Sequence, residues 1–320
     1  MVLGLLASLG LGFDCASKSE IQQVLNAGVE PHLIMHTNPC KQASFVRFAT
    51  QNNVNRMAFD NVKELHNIKK LHPDAELVLR ILPNDSSSLC QLGLKSGAPL
   101  ENVEHLLKTA KELELNVMGL SFYIDGGDSV RCARRVFDQA EYMGFNFTLL
   151  YVRGVDFNER IATMLGPMID CLFPPEIRVI ADTGGCYVTS AFTLCTNITG
   201  RRTIPHKVES GKQQYVYHIS EGIYGSFNCI LFDQPIDQPK VLVKDEEFIL
   251  GQQLSDEHFD SSVWGPTCDP IDCLNKSVQL PILEPGDWLC YENMGAYSIR
   301  TASQFNEFKK LKIFYTNTLI

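Results

Sequence analysis

Seven short apolar runs recur between residues 12 and 182, each rich in β-branched or aromatic side chains and each followed by a stretch of helical periodicity. They are "GFDCAS" (12–17), "HLIMH" (32–36), "RMAFD" (56–60), "ELVLRI" (76–81), "VMGLSFYI" (117–124), "FTLLYV" (147–152) and "RVIAD" (178–182). Strands separated by single helices must run parallel, because each helix carries the chain back to the starting edge. Seven in succession predict a (β/α)8 barrel of the TIM type or a doubly wound sheet. The chain opens on an apolar helical stretch, "VLGLLASLG", so the barrel reading finds a helix whose own preceding strand, the first of the barrel, is lacking.

The helices are marked locally. In "ENVEHLLKTAKELEL", Val103, Leu106, Leu107, Ala110 and Leu113 fall on one apolar stripe. "SKSE" at 17–20 has the spacing of a capping box, which places a helix start just before "IQQVL". Beyond residue 191 the texture changes to "YVYHIS", "SFNCILF", "KVLV", "DWLCYENMGAYS" and "KIFYTN", separated by Gly, Pro and Asp turns. This half reads as a mainly antiparallel β-domain, giving an α/β barrel over 1–191 and a β-domain over 192–320. Within it, "DQPIDQPKVLVKDEEFILGQQLSDEH" is acidic and weakly periodic, and is expected to be a mobile loop.

A net charge of -9 without a basic patch gives no footprint for nucleic acid. The opening apolar stretch is too short for a bilayer, which needs roughly 20 residues. Eleven scattered cysteines without a C-x-x-C pair or a secretory leader read as reduced thiols of a cytoplasmic protein, and the eight histidines form no H-E-x-x-H, so no metal is assigned. "WGPTCDPID" (264–272) sets a thiol, Cys268, beside a carboxylate, Asp269, in a turn opened by Gly265 and Pro266. From the residues alone this is half of a site or an ordinary loop.

"GFDCAS", "NPCKQ", "LVLRI", "GLSFYI", "YVTSAF", "EGIYGSFNCILFD", "WGPTCDPID" and "GDWLCYENMGAYS" together resemble the eukaryotic ornithine decarboxylases and their non-catalytic relatives, the antizyme inhibitors. The resemblance runs over nearly the whole chain in the same order. It implies a pyridoxal-phosphate barrel followed by a β-domain, paired head to tail in a homodimer or in a heterodimer with an ornithine decarboxylase. By that resemblance Cys268 is the proton donor, and Asp233 and Asp269 face the distal ammonium of a diamino acid. Asp14, Arg80, Tyr123, Asp182 and Tyr297 match positions near the cofactor, while Lys95, Asp272, Tyr224 and Phe305 match positions at the dimer interface.

The barrel half departs from the family pattern in four places. The family's Schiff-base lysine falls in a strand upstream of Met1, and Lys18, Lys41 and Lys95 lie on other motifs. Tyr123 stands where the family stacks a histidine on the cofactor ring, followed by a shortened "IDGGDSVRCA". "YVRGVDFNER" (151–160) replaces an aspartate followed by a glycine triplet, leaving Gly154 between Arg153 and Val155. "DTGGC" (182–186) replaces E-P-G-R, so Asp182 takes the glutamate's place and Gly185 that of the arginine that grips the phosphate. Three readings follow: a non-catalytic relative that binds antizyme, through a segment from Arg47 to Glu76 that bears Lys63, Lys69 and Lys70; an ornithine decarboxylase, as a longer chain or in a mixed dimer; or a degenerate copy without a selected function.

Overall fold

The computed structural model describes residues 2–83, 96–124, 127–154, 159–206, 213–232, 236–252 and 257–316. The chain divides into two compact units, Met1–Thr183 and Gly184–Ile320. None of the described helices is long and apolar enough to cross a membrane.

The first unit carries β1 (Phe13–Cys15), β2 (Ile34–His36), β3 (Arg56–Phe59), β4 (Glu76–Leu82), β5 (Ala98–Pro99), β6 (Asn116–Tyr123), β7 (Leu149–Arg153) and β8 (Arg178–Ala181). The order is β1-β2-β3-β4-β6-β7-β8, with the two-residue β5 added to β4, and every pairing is parallel. The helices are α1 (Val2–Ser8), α2 (Lys18–Asn26), α3 (Ala43–Gln51), α4 (Val62–Leu71), α5 (Val103–Glu112), α6 (Gly127–Tyr142) and α7 (Glu159–Leu172). Along β4 the side chains alternate: Leu77, Leu79 and Ile81 join the large core under the helices, whereas Val78 packs with Met35, Leu149 and Tyr151 in a separate cluster.

The sheet is curled. β1 and β7 lie five strand spacings apart along the sheet, roughly 24 Å if it were flat, yet the Tyr151 hydroxyl on β7 donates to Asp14 on β1. Only a sheet rolled toward closure brings these side chains together, as in a TIM-type barrel. β1 and β8 remain its two edges, with no ladder between them among the described residues.

Local signals position the helices as their residues require. Ser17 caps α2 through its side chain, and the Glu20 carboxylate returns to the Ser17 N–H, closing the capping box. α5 buries Val103, Leu106, Leu107 and Ala110, the stripe expected of it.

Among its described residues the second unit holds α8 (Cys186–Thr189) and seven strands: β9 (Leu194–Pro205), β10 (Gln213–Ile219), β11 (Lys240–Lys244), β12 (Glu247–Phe248), β13 (Phe259–Trp264), β14 (Cys273–Leu280) and β15 (Trp288–Tyr291). Their order is β12-β11-β15-β9-β10-β13-β14, antiparallel except for β10 with β13. Tyr217, fully buried, donates to the Pro281 carbonyl and accepts from the Leu283 N–H, so its hydroxyl is satisfied inside the core.

Three expectations for this half are corrected. "SFNCILF" is a 3-10 turn rather than a strand, wound up by Phe227 N–H to Gly222 O and by the Asn228 side chain to Ile223 O. "KIFYTN" is irregular over its described residues. The expected mobile loop contains the β11–β12 hairpin, whose turn places Asp245 and Glu246 at φ 53° and 67°, the two-residue left-handed turn that matches strand twist.

A Cβ added to Gly119 on β6 would overlap the Leu149 carbonyl of β7, so the two strands need a glycine there. Gly119→Ala is expected to lower stability to urea by about 3 kcal/mol, read as a shifted midpoint with an unchanged slope.

Candidate functional site

In the first unit the C-terminal ends of the strands gather a polar cluster, where barrel folds place their chemistry. Asp14 comes from β1, Thr37 from the residue after β2, Arg80 from β4, Tyr123 from the end of β6, Tyr151 and Arg153 from β7, and Asp182 from the residue after β8. Tyr151 and Arg153 are two apart on one strand, so both point to the same face. Asp14 gathers three donors: the Thr37 and Tyr151 hydroxyls donate to it, and Arg153 Nη2 lies 3.0 Å from its Oδ2. The same Nη2 lies 3.6 Å from the Asp182 carboxylate.

The Arg153 guanidinium also sits 5.4 Å from the centre of the Tyr123 ring and 5.5 Å from that of Tyr151. Arg80 approaches Tyr123 at 5.4 Å as well. Burial opposes the charge on Arg153, but Asp14 first, then the two tyrosines and Asp182, outweigh it and hold its pKa above the ordinary value. Arg80 is lowered by burial and then by the neighbouring Arg153 charge. Tyr151 is raised well out of its usual range by burial, then by Asp14 and Asp182. At Gly154, φ is +74° and an added Cβ would lie 2.6 Å from Tyr123 Cδ1, so the tyrosine ring rests on this glycine. Beside the cluster His36 is fully buried, and burial followed by the charge of Lys41 lowers it to about 4.

Lys41 and Lys18 are engaged elsewhere. Lys41 is buried, 2.7 Å from Glu64, and donates to the Ala58 and Asn38 carbonyls at 2.6 and 3.1 Å. Lys18 lies over the Phe48 ring at 4.7 Å. Lys95 and Asp233, both expected site residues, lie outside the described residues.

The second unit builds the Cys268 turn around one buried acid. Asp272 accepts from Ile223 N–H at 2.8 Å, from Thr267 N–H at 3.0 Å and from the Thr267 hydroxyl at 2.6 Å. Its carboxylate fills the space where a side chain on Gly222 or Gly265 would stand, which explains both glycines. The expected interface acid is thus committed to its own turn. Asp269 accepts the Tyr224 hydroxyl and the Ile271 N–H, and Tyr224 stacks on Phe305 with ring centres 4.3 Å apart. The Tyr224 hydrogen bond, followed by that of Ile271, holds the Asp269 carboxyl below its usual range. Cys268 is exposed at the tip of the turn. Tyr297 is exposed on the segment after β15, at φ 50°.

Cys268, Asp269, Tyr224 and Phe305 therefore share one surface of the second unit over the buried Asp272, while Asp14, Arg80, Tyr123 and Asp182 share the mouth of the first. Sequence reasoning missed Thr37, Tyr151 and Arg153 as members of the mouth cluster. The available signal was the spacing of Tyr151 and Arg153 ahead of Gly154, two large polar side chains facing inward where a glycine run was expected.

Residues 1–189 match the family described as pyridoxal-dependent decarboxylase, pyridoxal binding domain. The chain is 41% identical to an ornithine decarboxylase of Schizosaccharomyces pombe over 99% of its own length and 75% of that protein's. It is 39% identical to antizyme inhibitor 2 of Xenopus laevis, covering 98% of this chain and 72% of that protein. Among solved structures it is similar to the arginine decarboxylase of Paramecium bursaria Chlorella virus, with TM-score 0.82 and 28% identity over 96% of this chain and 83% of that one. A lysine/ornithine decarboxylase from Vibrio vulnificus, solved with cadaverine, gives TM-score 0.77 and 26% identity over 96% and 82% of the two chains.

Because Tyr224 holds Asp269 low, Tyr224→Phe is expected to raise the Asp269 pKa toward an ordinary carboxyl, as followed by carboxyl-carbon NMR across pH 2–6. Asp272→Asn is expected to destabilise the second unit by about 2–3 kcal/mol in urea, since an amide cannot accept all three donors and brings donors of its own.

Proposed function

Since the chain belongs to the pyridoxal-dependent decarboxylase family and is ornithine-decarboxylase-like, we propose that it serves polyamine metabolism as a non-catalytic member, acting by binding antizyme or by pairing with an ornithine decarboxylase. The observation that carries this reading is Arg153. In the family pattern a glycine run lets backbone N–H groups approach the cofactor phosphate. Here a guanidinium fills the mouth, occupies both Asp14 and Asp182, and is flanked by the rings of Tyr123 and Tyr151.

The residues present do not fit pyridoxal phosphate. Asp182, which takes the place of the family's pyridinium partner, already faces an internal cation. Gly185 offers no arginine for a phosphate, and its carbonyl accepts the Thr189 hydroxyl within the short α8 turn. Tyr123 covers the backbone of Gly154. A bound cofactor would have to displace Arg153 and leave two partly buried acids without their cation, a costly exchange.

Antizyme binding is favoured by the surface of α4. Lys63, His66 and Lys70 are exposed along it, with Lys69 half-exposed and 4.0 Å from Glu114, and Arg47 is exposed on α3. Pairing with an ornithine decarboxylase is favoured by the second unit, where Cys268 stands free at a turn held rigid by Asp272. In a mixed dimer this turn would face the intact barrel of the partner.

With ornithine and added pyridoxal phosphate the purified chain is expected to release no carbon dioxide above the blank; turnover within a hundredfold of an ornithine decarboxylase would overturn the reading. Lys63→Glu with Lys70→Glu is expected to weaken antizyme binding roughly tenfold in a titration, with a larger loss at low salt than at high.

A further inference from the structure

Cys195 and Cys290 are directly opposite one another in the antiparallel ladder of β9 and β15, a register shared with Leu289–Thr196 and Trp288–Asn197. Directly opposed residues point to the same face of a sheet, so the two thiols are neighbours. Their place in the hydrogen-bond alternation follows from two observations. Ile198 N–H donates to Asp287 O in this ladder, whereas Asn197 turns its N–H to the Ser220 hydroxyl and its carbonyl to Ser220 N–H, away from β15. The pairs 197/288 and 195/290 are therefore the non-hydrogen-bonded ones, where opposed Cα atoms approach to about 4.5 Å. That spacing lies within the range a disulfide spans, roughly 4.4–6.8 Å.

We propose that Cys195 and Cys290 form a reversible cross-strand disulfide, a redox-modification site within the second unit. Cys195 is exposed and Cys290 is 1% exposed, so an incoming reagent meets Cys195 first. The oxidant is a low-molecular-weight disulfide. The Cys195 thiolate attacks one of its sulfurs, breaking that S–S bond and expelling one thiolate. The Cys290 thiolate then attacks Cys195 Sγ of this mixed disulfide, breaking its bond to the reagent sulfur, forming the Cys195–Cys290 bond and expelling the second reagent thiolate. Two cysteines are oxidised, one reagent disulfide is reduced, and the two protons lost by the cysteines end on the expelled thiols.

The link pins β15 at the base of the segment that carries Asn293 to Tyr297. On the other side of Cys290 stands Lys240, its register partner on β11, paired with Glu292 at 2.6 Å. Burial raises both thiol pKa values, and Cys290 is raised further by Cys195 and Glu292 against the opposing Lys240 charge. The exchange is accordingly slow near neutrality and quickens as pH rises.

The full chain is incubated with a graded ratio of oxidised to reduced glutathione, free thiols are blocked, and the unreduced protein is digested with trypsin and mapped by mass. The expected product joins the peptide of residues 179–201 to that of residues 277–300. It should persist in Cys186→Ser, vanish in Cys195→Ser and in Cys290→Ser, and raise the melting midpoint of the wild-type chain by roughly 5–15 °C. Complete blocking of both thiols at every ratio would overturn the proposal, as would a link that survives Cys195→Ser.

Discussion

The guanidinium of Arg153 joins carboxylates from β1 and from the residue after β8, two strands that form no ladder with each other among the described residues of the curled sheet. Neighbouring strands are ordinarily held by backbone hydrogen bonds, but these edges are bridged by side chains at the mouth. The bridge works because its charges are paired through Arg153 Nη2, although Arg153 Nε is buried without a hydrogen-bond partner. Asp14 accepts from Thr37, Tyr151 and Arg153, and the two tyrosine rings shield the guanidinium from water. Removing one member would leave a partly buried charge without its partner, which is far costlier than never having introduced the pair. The cluster is thus a fastening of the fold.

The second unit follows a separate logic. Its turn is organised by Asp272, whose carboxylate gathers backbone and hydroxyl donors and makes glycine necessary at 222 and 265. None of these contacts depends on the barrel mouth. A chain whose mouth is occupied by its own arginine can therefore keep a well-formed Cys268 turn. The two clusters are built independently, each within its own unit.

Much of the fold was legible in the residues because its signals are local. The Ser17–Glu20 capping box, the apolar stripe of α5 and the β-rich runs spaced by helices each announce themselves within a few residues. "KVLV" announced β11, but its pairing with the two-residue β12 was missed because the turn uses Asp245 and Glu246 at positive φ rather than the usual Asn-Gly. "SFNCILF" misled because its apolar content suits a strand, whereas hydrogen bonds back to Gly222 and Ile223 wind it up. Of the candidate site, the Cys268 turn and the acids of the mouth were legible by family resemblance. The partnership of Asp14 with Tyr151 and Arg153 joins residues 137 and 139 positions apart, and no local pattern reports such a meeting.

The most direct measurement is equilibrium dialysis of the purified chain against pyridoxal phosphate, with Arg153→Ala alongside to open the mouth. If Arg153 fills the cofactor's place, the wild-type chain should show no saturable site below about 100 μM, a threshold near 5.5 kcal/mol of binding free energy. One equivalent of pyridoxal phosphate bound at low micromolar concentration by the wild-type chain would contradict the account.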